Sequence, residues 1–415
     1  MLDIKYIREN VDAIKENCKN RHVNVNIERL LELDEERRDF QQQIDTLRAE
    51  RNQKSKGKPS DEEITHMREV GDKIKQFEER QTEIETEYTD LLLQIPNSTH
   101  PDSPIGGEED FVTVAEYGKK PDFDFEPKDH EELLTNLNLI DFERGAKVAG
   151  SKFYFVKNDM VRLNQALINY GLDVVGNHGF ELLETPDLAK HEILKGAILN
   201  SRGEEKQIYN IEDEDLSLVG TAEITVLGYH ADEVLDLSNG PKKYVALSHC
   251  FRTEAGSYGR TSKGLYRVHQ FTKLEMFVFC KPKDSEKLHE ELLTIEKEIC
   301  DGLEFPYRVI DIATGDLGGP AYRKYDLEAH MTMLDGYGEI TSTSNCTDYQ
   351  SRRLNIKYKN EEGKNEYVHT LNGTAVVMSR FPIALIENNQ QKDGSVTIPK
   401  VLQPYMNKKV LSPKS

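Results

Sequence analysis

Two runs of apolar positions dominate the first hundred residues. Leu30, Leu33, Arg37, Phe40, Ile44, Leu47 and Arg51 follow one another in steps of three and four, as do Met67, Val70, Ile74, Phe77, Gln81, Ile84, Tyr88, Leu91 and Ile95, with charged residues between them. Each run predicts a long amphipathic helix. Gly57 and Pro59, within Lys56–Ser60, stop the first, and Ser60 followed by Asp61 and Glu62 starts the second. So short a break folds the helices back as an antiparallel coiled-coil hairpin, an arm about 45 Å long at about 1.5 Å per residue.

Beyond Ile95 the pattern changes. Pro96 ends the second helix, and Asn97 through Gly107 is rich in Ser, Pro and Gly, which predicts a linker over about 96–120. After it, short β-prone runs such as Tyr244–Leu247 and Met276–Phe279 mix with helical stretches such as Ser285–Gly302, without regular strand and helix alternation. That order predicts an α+β domain with a mainly antiparallel sheet flanked by helices. At 415 residues the chain exceeds one ordinary core. Two domains are expected, 1–98 and 99–415.

Charge and composition narrow the function. The net charge of −20 argues against nucleic acid as a partner of the whole surface. The predicted hairpin tip departs from it: residues 48–58 carry Arg48, Arg51, Lys54, Lys56 and Lys58 against Glu50 alone, a local +4. Such a patch is a candidate phosphate contact, although lysine and arginine also populate ordinary coiled-coil surfaces. No stretch approaches the roughly 20 apolar residues of a membrane span, so no membrane partner is expected. The start, with Asp3, Glu9, Asp12 and Glu16, does not read as an export signal, which predicts a cytoplasmic protein. Five widely spaced cysteines without a CxxC pair predict reduced thiols and no zinc site.

The chain has no GxxxxGK[ST] loop and no strand-linked GxGxxG, so any nucleotide must be held by side chains on a sheet. The stretch Cys250-Phe251-Arg252-Thr253-Glu254-Ala255-Gly256-Ser257-Tyr258-Gly259-Arg260, continuing through Arg267-Val268-His269-Gln270-Phe271 to Glu275, suits that task. Two β-type runs flank a glycine-rich cationic loop. A guanidinium offers paired donors to phosphate oxygens, and an aromatic ring offers a face to a base. The same residues also fit an ordinary hairpin, with Phe271 as core and Glu275 paired to Arg252 or Lys273.

This stretch resembles motif 2 of the class II aminoacyl-tRNA synthetases, in the form found in the seryl-tRNA synthetase family. The resemblance spans nearly the whole chain: the helical hairpin, Phe123–His130, Val219-Gly220-Thr221-Ala222-Glu223, Glu339-Ile340-Thr341-Ser342 leading into Ser344-Asn345, and Leu371-Asn372-Gly373. It implies a class II synthetase core that activates L-serine with ATP and Mg²⁺ and charges tRNA(Ser), with tRNA(Sec) as a further candidate acceptor. An amino acid ligase of the same core with a non-tRNA acceptor is the alternative, and the heptad hairpin weighs against it.

By the same resemblance, Arg252 and Arg380 are the catalytic cations. Arg252 contacts the α-phosphate and the serine carboxylate, with Thr253 and Glu254 beside it. Phe271 stacks on adenine, bordered by the backbone near Val268. Glu339 and Ser342 bind metal and phosphate, Ile340 and Thr341 lie between them in the ATP strip, and Arg380 holds the far phosphates. Thr221, Ala222, Glu223 and Glu275, joined by Asn372 and Thr374, receive serine; which carboxylate takes the ammonium and which the hydroxyl stays open. His269 is expected to support the hairpin, since the attacking carboxylate has no proton to lose. Arg48, Arg51, Lys54, Lys56 and Lys58 would meet tRNA through its shape and backbone. Gly179–Pro186 is similar to motif 1, which implies a homodimer. The sequence departs from the family pattern at Ala375 and Ser379, where glycines are usual, and at His330, where tryptophan is common; the chain has no tryptophan.

Overall fold

The computed structural model describes residues 1–54, 60–197, 207–255 and 263–412, with the side chains of Lys54 and Glu63 also left aside. It divides into two compact units, Met1–Ser98 and Thr99–Ser415.

The first unit is helical: α1 (Ile4–Glu9), α2 (Val11–Asn20), α3 (Ile27–Lys54) and α4 (Asp61–Gln94). The 28 and 34 residues of α3 and α4 correspond to about 42 and 51 Å of helix. They run antiparallel, because contacts that rise in number along one fall along the other: Arg29 to Glu87 at 2.9 Å, Gln41 to Gln81 at 3.1 Å and Glu50 to His66 at 2.9 Å. Ile44, Val70 and Ile74 form the buried seam with Leu47 and Phe77 against it. Near its end the seam departs from the predicted spacing. Leu92 rather than Leu91 is buried, between Tyr88 and Ile95, so four residues precede three there. Arg37 keeps its seam position by laying its guanidinium 4.5 Å over the Tyr88 ring. Buried Asp34 gathers Arg8, Arg37 and Arg38 at 3.2–3.5 Å, tying α1 to α3.

The second unit is built on an eight-stranded sheet: β1 (Val112–Tyr117), β2 (Glu181–Glu184), β3 (Lys242–Phe251), β4 (Gln270–Cys280), β5 (Tyr307–Asp311), β6 (Arg323–Met331), β7 (Gly336–Thr347) and β8 (His369–Val377). The spatial order is β1-β5-β6-β7-β8-β4-β3-β2, antiparallel except for β2 beside β3. The stretch expected to be linker therefore contains an edge strand. Val112, Val114 and Tyr117 have the β-branched and aromatic character of one, but the Pro and Gly just before them read as loop. One face of the sheet is covered by α5 (Asp159–Asn177), α7 (Ser285–Gly302) and α8 (Arg380–Asn388), and α6 (Ala222–Tyr229) packs on the other.

Alternation along β4 creates the site. Leu274, Met276, Val278 and Cys280 enter the core beneath α5 and α7. Phe277 and Phe279 point the other way, into the core under α6. Lys273 and Glu275 share that second face beyond the end of α6, so the sheet continues from an apolar floor into a polar one. A bulge between Thr374 and Val376 keeps β8 in step, placing Thr374 opposite Glu275 and Val377 opposite Lys273.

Candidate functional site

Over this polar floor lies a cavity of about 280 Å³. One end is bounded by Thr221 and Glu223 at the start of α6, Lys273 and Glu275 on β4, and Asn372 and Thr374 on β8. Thr221 caps α6, its hydroxyl accepting from the Glu223 N–H at 3.3 Å, so the helix start delivers Glu223 to the cavity. The longer end carries Arg252, Glu254, Arg267, Val268 and Phe271 from the β3–β4 hairpin, and Glu339, Ile340, Ser342 and Arg380 from β7 and α8.

The hairpin is braced from within. The Arg252 N–H donates to the His269 carbonyl at 2.9 Å, and His269 Nδ1 lies 3.0 Å from both the Arg252 carbonyl oxygen and the Tyr209 hydroxyl. His269 thus acts on the loop frame. Glu254 sits at φ +51°, a left-handed conformation uncommon outside glycine, and is held there by Arg267 at 3.0 Å. The Arg252 guanidinium lies 5.3 Å from the Phe271 ring centre, and its Nε and Nη2 both donate to the Gly220 carbonyl at 3.2 Å. Phe271 is at once core and cavity wall.

Four cations and four carboxylates line the cavity, and their pairing is uneven. Arg267 binds Glu254, Lys273 binds Glu275, and Arg380 binds Glu339 at 3.0 Å. Among the described residues, Arg252 and Glu223 are left without an ion-pair partner. Glu223 instead accepts from Asn372 Nδ2 at 3.0 Å and from the Gln350 amide. Desolvation pushes its carboxyl up to about 7. Burial also pushes Asp326, across from Ser342, up to about 7, with Lys324 opposing. For Glu339 the cations win: its surroundings disfavour charge, but Arg380 and Lys324 hold its carboxyl below the ordinary value. Its side chain keeps 44% of its surface exposed.

Most residues singled out in the sequence converge here; several do not. Ala222 is fully buried in the α6 core. Thr253 lies beside the cavity without lining it, its backbone N–H donating to the Gln207 carbonyl at 3.2 Å. Thr341 turns its hydroxyl through the sheet to buried Glu296, at 3.1 Å. Strand alternation explains Thr341: its neighbours Ile340 and Ser342 take the cavity side. Of the two glycine replacements, Ala375 is buried in the core and Ser379 borders the cavity. His330 meets Asn388, its carbonyl accepting from Nδ2 at 2.7 Å. On the helical hairpin, Arg48 pairs with Glu78 at 2.7 Å and Arg51 is exposed. Lys56, Lys58 and the Lys54 side chain lie outside the described residues. Tyr266, Arg267 and Lys273 were not among the expected site residues, yet Lys273 and Glu275 share one face with Phe271 by simple alternation.

Comparison with known proteins agrees over the full length. Residues 1–99 match the family model of the seryl-tRNA synthetase N-terminal domain, and 207–389 that of the tRNA synthetase class II core domain (G, H, P, S and T). A serine–tRNA ligase of Treponema denticola is 53% identical, over 98% of both chains. The chain belongs to the seryl-tRNA synthetase family. Another serine–tRNA ligase, of Rubrobacter xylanophilus, is 49% identical over 100% of this chain and 99% of its own. Among solved structures, a seryl-tRNA synthetase from Pyrococcus horikoshii complexed with ATP superposes with a TM-score of 0.92 at 39% identity, covering both chains fully. A cytoplasmic serine–tRNA ligase from Naegleria fowleri in complex with AMP gives 0.87 at 33% identity, over 100% of this chain and 99% of the other. A seryl-tRNA synthetase core thus accounts for the antiparallel sheet, and the seryl-tRNA synthetase N-terminal domain for the paired helices.

Proposed function

We propose that this chain activates L-serine with ATP to seryl-adenylate and transfers the seryl group to the 3′ end of tRNA(Ser). The observation that carries the reading is the uneven pairing of the cavity: one guanidinium and one carboxylate without ionic partners are what a zwitterionic amino acid requires. Glu223 takes the ammonium, because among the described residues no cation is paired with it. Glu275, already paired to Lys273 and accepting from the Thr374 hydroxyl at 3.4 Å, takes the serine hydroxyl. A pocket built to hydrogen-bond a hydroxyl rejects alanine by about 10⁴.

Arg252 neutralises the carboxylate and the α-phosphate while a serine carboxylate oxygen attacks phosphorus and the bond to pyrophosphate breaks. Pyrophosphate leaves towards Arg380. Phe271 carries adenine on the ring beneath Arg252. The donor set suits magnesium, since Glu339 presents an exposed carboxylate, Ser342 a hydroxyl, and buried Asp326 an oxygen with no hydrogen-bond partner nearby. When bound, the ion supplies neutralisation of phosphate charge. Arg48, Arg51 and the lysines after them contact tRNA phosphates, the active form is a homodimer, and the protein works in the cytoplasm.

The test is serine-dependent exchange of pyrophosphate into ATP by the purified protein. Exchange with serine, and its loss in Arg252→Ala with the fold retained, is expected; no exchange, or equal exchange with alanine, would sink the reading.

A further inference from the structure

Gln350, on the short helix Tyr349–Arg353, is fully buried and outside the cavity lining. Its side chain is completely used. Oε1 accepts from the Thr370 hydroxyl at 2.7 Å, and Nε2 donates both to the Ala197 carbonyl at 3.2 Å and to Glu223 Oε1. An amide can be flipped without change of shape, and here the Ala197 carbonyl, which can only accept, fixes the N–H end towards Glu223, while the Thr370 hydroxyl donates to the other end. The Asn372 amide donates to the same Oε1 at 3.0 Å. Two N–H donors therefore occupy one oxygen of Glu223 and leave Oε2 to the cavity.

We infer that Gln350, held by the Ala197 carbonyl and the Thr370 hydroxyl, is a positioning residue for the amino acid: it aims the Glu223 carboxylate at the substrate ammonium. This rests on the serine reading of the site and adds residues that touch no substrate. Burial and Glu275 push the Glu223 carboxyl up, while Gln350, Lys273 and Arg252 pull it down. Gln350→Leu removes only the first of these three lowering influences and leaves Lys273 and Arg252 in place, so the sign is fixed. Losing its donor raises the carboxyl further, and the low-pH limb of serine use moves to higher pH.

The experiment is pyrophosphate exchange by full-length wild type, Gln350→Leu and Thr370→Val across pH, with KM measured for serine and for ATP. A lost hydrogen bond to a charged group predicts a serine KM raised about tenfold or more in Gln350→Leu. ATP KM should stay within about twofold and the acid limb of kcat/KM for serine should shift upward. Thr370→Val, nearly isosteric, should shift both in the same direction by less, and it alone decides if Gln350→Leu does not fold. Unchanged serine KM and pH limb, or serine and ATP KM rising together as in a general loosening, would overturn the inference in an enzyme that remains active. Absence of serine-dependent exchange in wild type would instead sink the reading beneath it.

Discussion

Lys273 and Glu275 are the only charged side chains of β4, a strand buried along most of its length, and they are 7% and 2% exposed. Burying two charges in a central strand is costly unless they serve each other or a ligand. In the proposed serine site, they and Thr374 would offer the substrate hydroxyl both a donor and an acceptor. Glu275→Gln should therefore retain ATP use and lower the preference for serine over alanine by about tenfold to a hundredfold. Exchange rates with the two amino acids check this, and an unchanged ratio would return the hydroxyl to Glu223. At this scale much of the cavity's lining was legible. Arg252, Glu275, Glu339 and Arg380 stood out as charges at motif positions, and they line one cavity. Gln350 carried no signal, because its role depends on Thr370 and Ala197, which the fold brings together from distant parts of the chain.

Among the elements, β7 and β8 are braced from behind by α7. Its fully buried Glu296 accepts from the Thr341 hydroxyl at 3.1 Å. Gly373 leaves room for it, since a Cβ there would stand 3.0 Å from Glu296 Oε1. Burial raises the Glu296 carboxyl well above its ordinary value of 4.5, against the Thr341 hydrogen bond, so the folded chain holds a proton that the unfolded chain releases. That contribution to stability is full below the ordinary value and is lost as pH rises towards the folded one. Glu296→Gln should accordingly gain in Tm relative to wild type between about pH 5 and about pH 8; a constant difference in thermal melts would refute it. Periodicity located α3, α4 and α7 well, because each must bury one stripe of its surface. It missed β1, whose few residues follow a Pro- and Gly-rich stretch, and the end of the heptad seam, where packing selects Leu92.

For the whole molecule, the paired helices and the sheet unit predict separable activities. Deleting residues 35–90 should leave serine-dependent exchange and abolish charging of tRNA(Ser), and unchanged charging would remove the arm from recognition. A homodimer predicts twice the chain mass of 47.6 kDa by light scattering at micromolar concentration. The broad division was readable from a change of periodicity near Pro96. The cavity was not, because it arises only where the short α6 leaves the far end of a sheet face uncovered.

That uncovered end has a kinetic consequence. The amides of Lys273, Leu274 and Glu275 belong to a strand bracketed on both sides by neighbours, although two of those three side chains line the cavity. In deuterated buffer their backbone protons should be among the last to be replaced, released only when the entire sheet comes apart. The floor of the cavity would then be as unyielding as the core it extends.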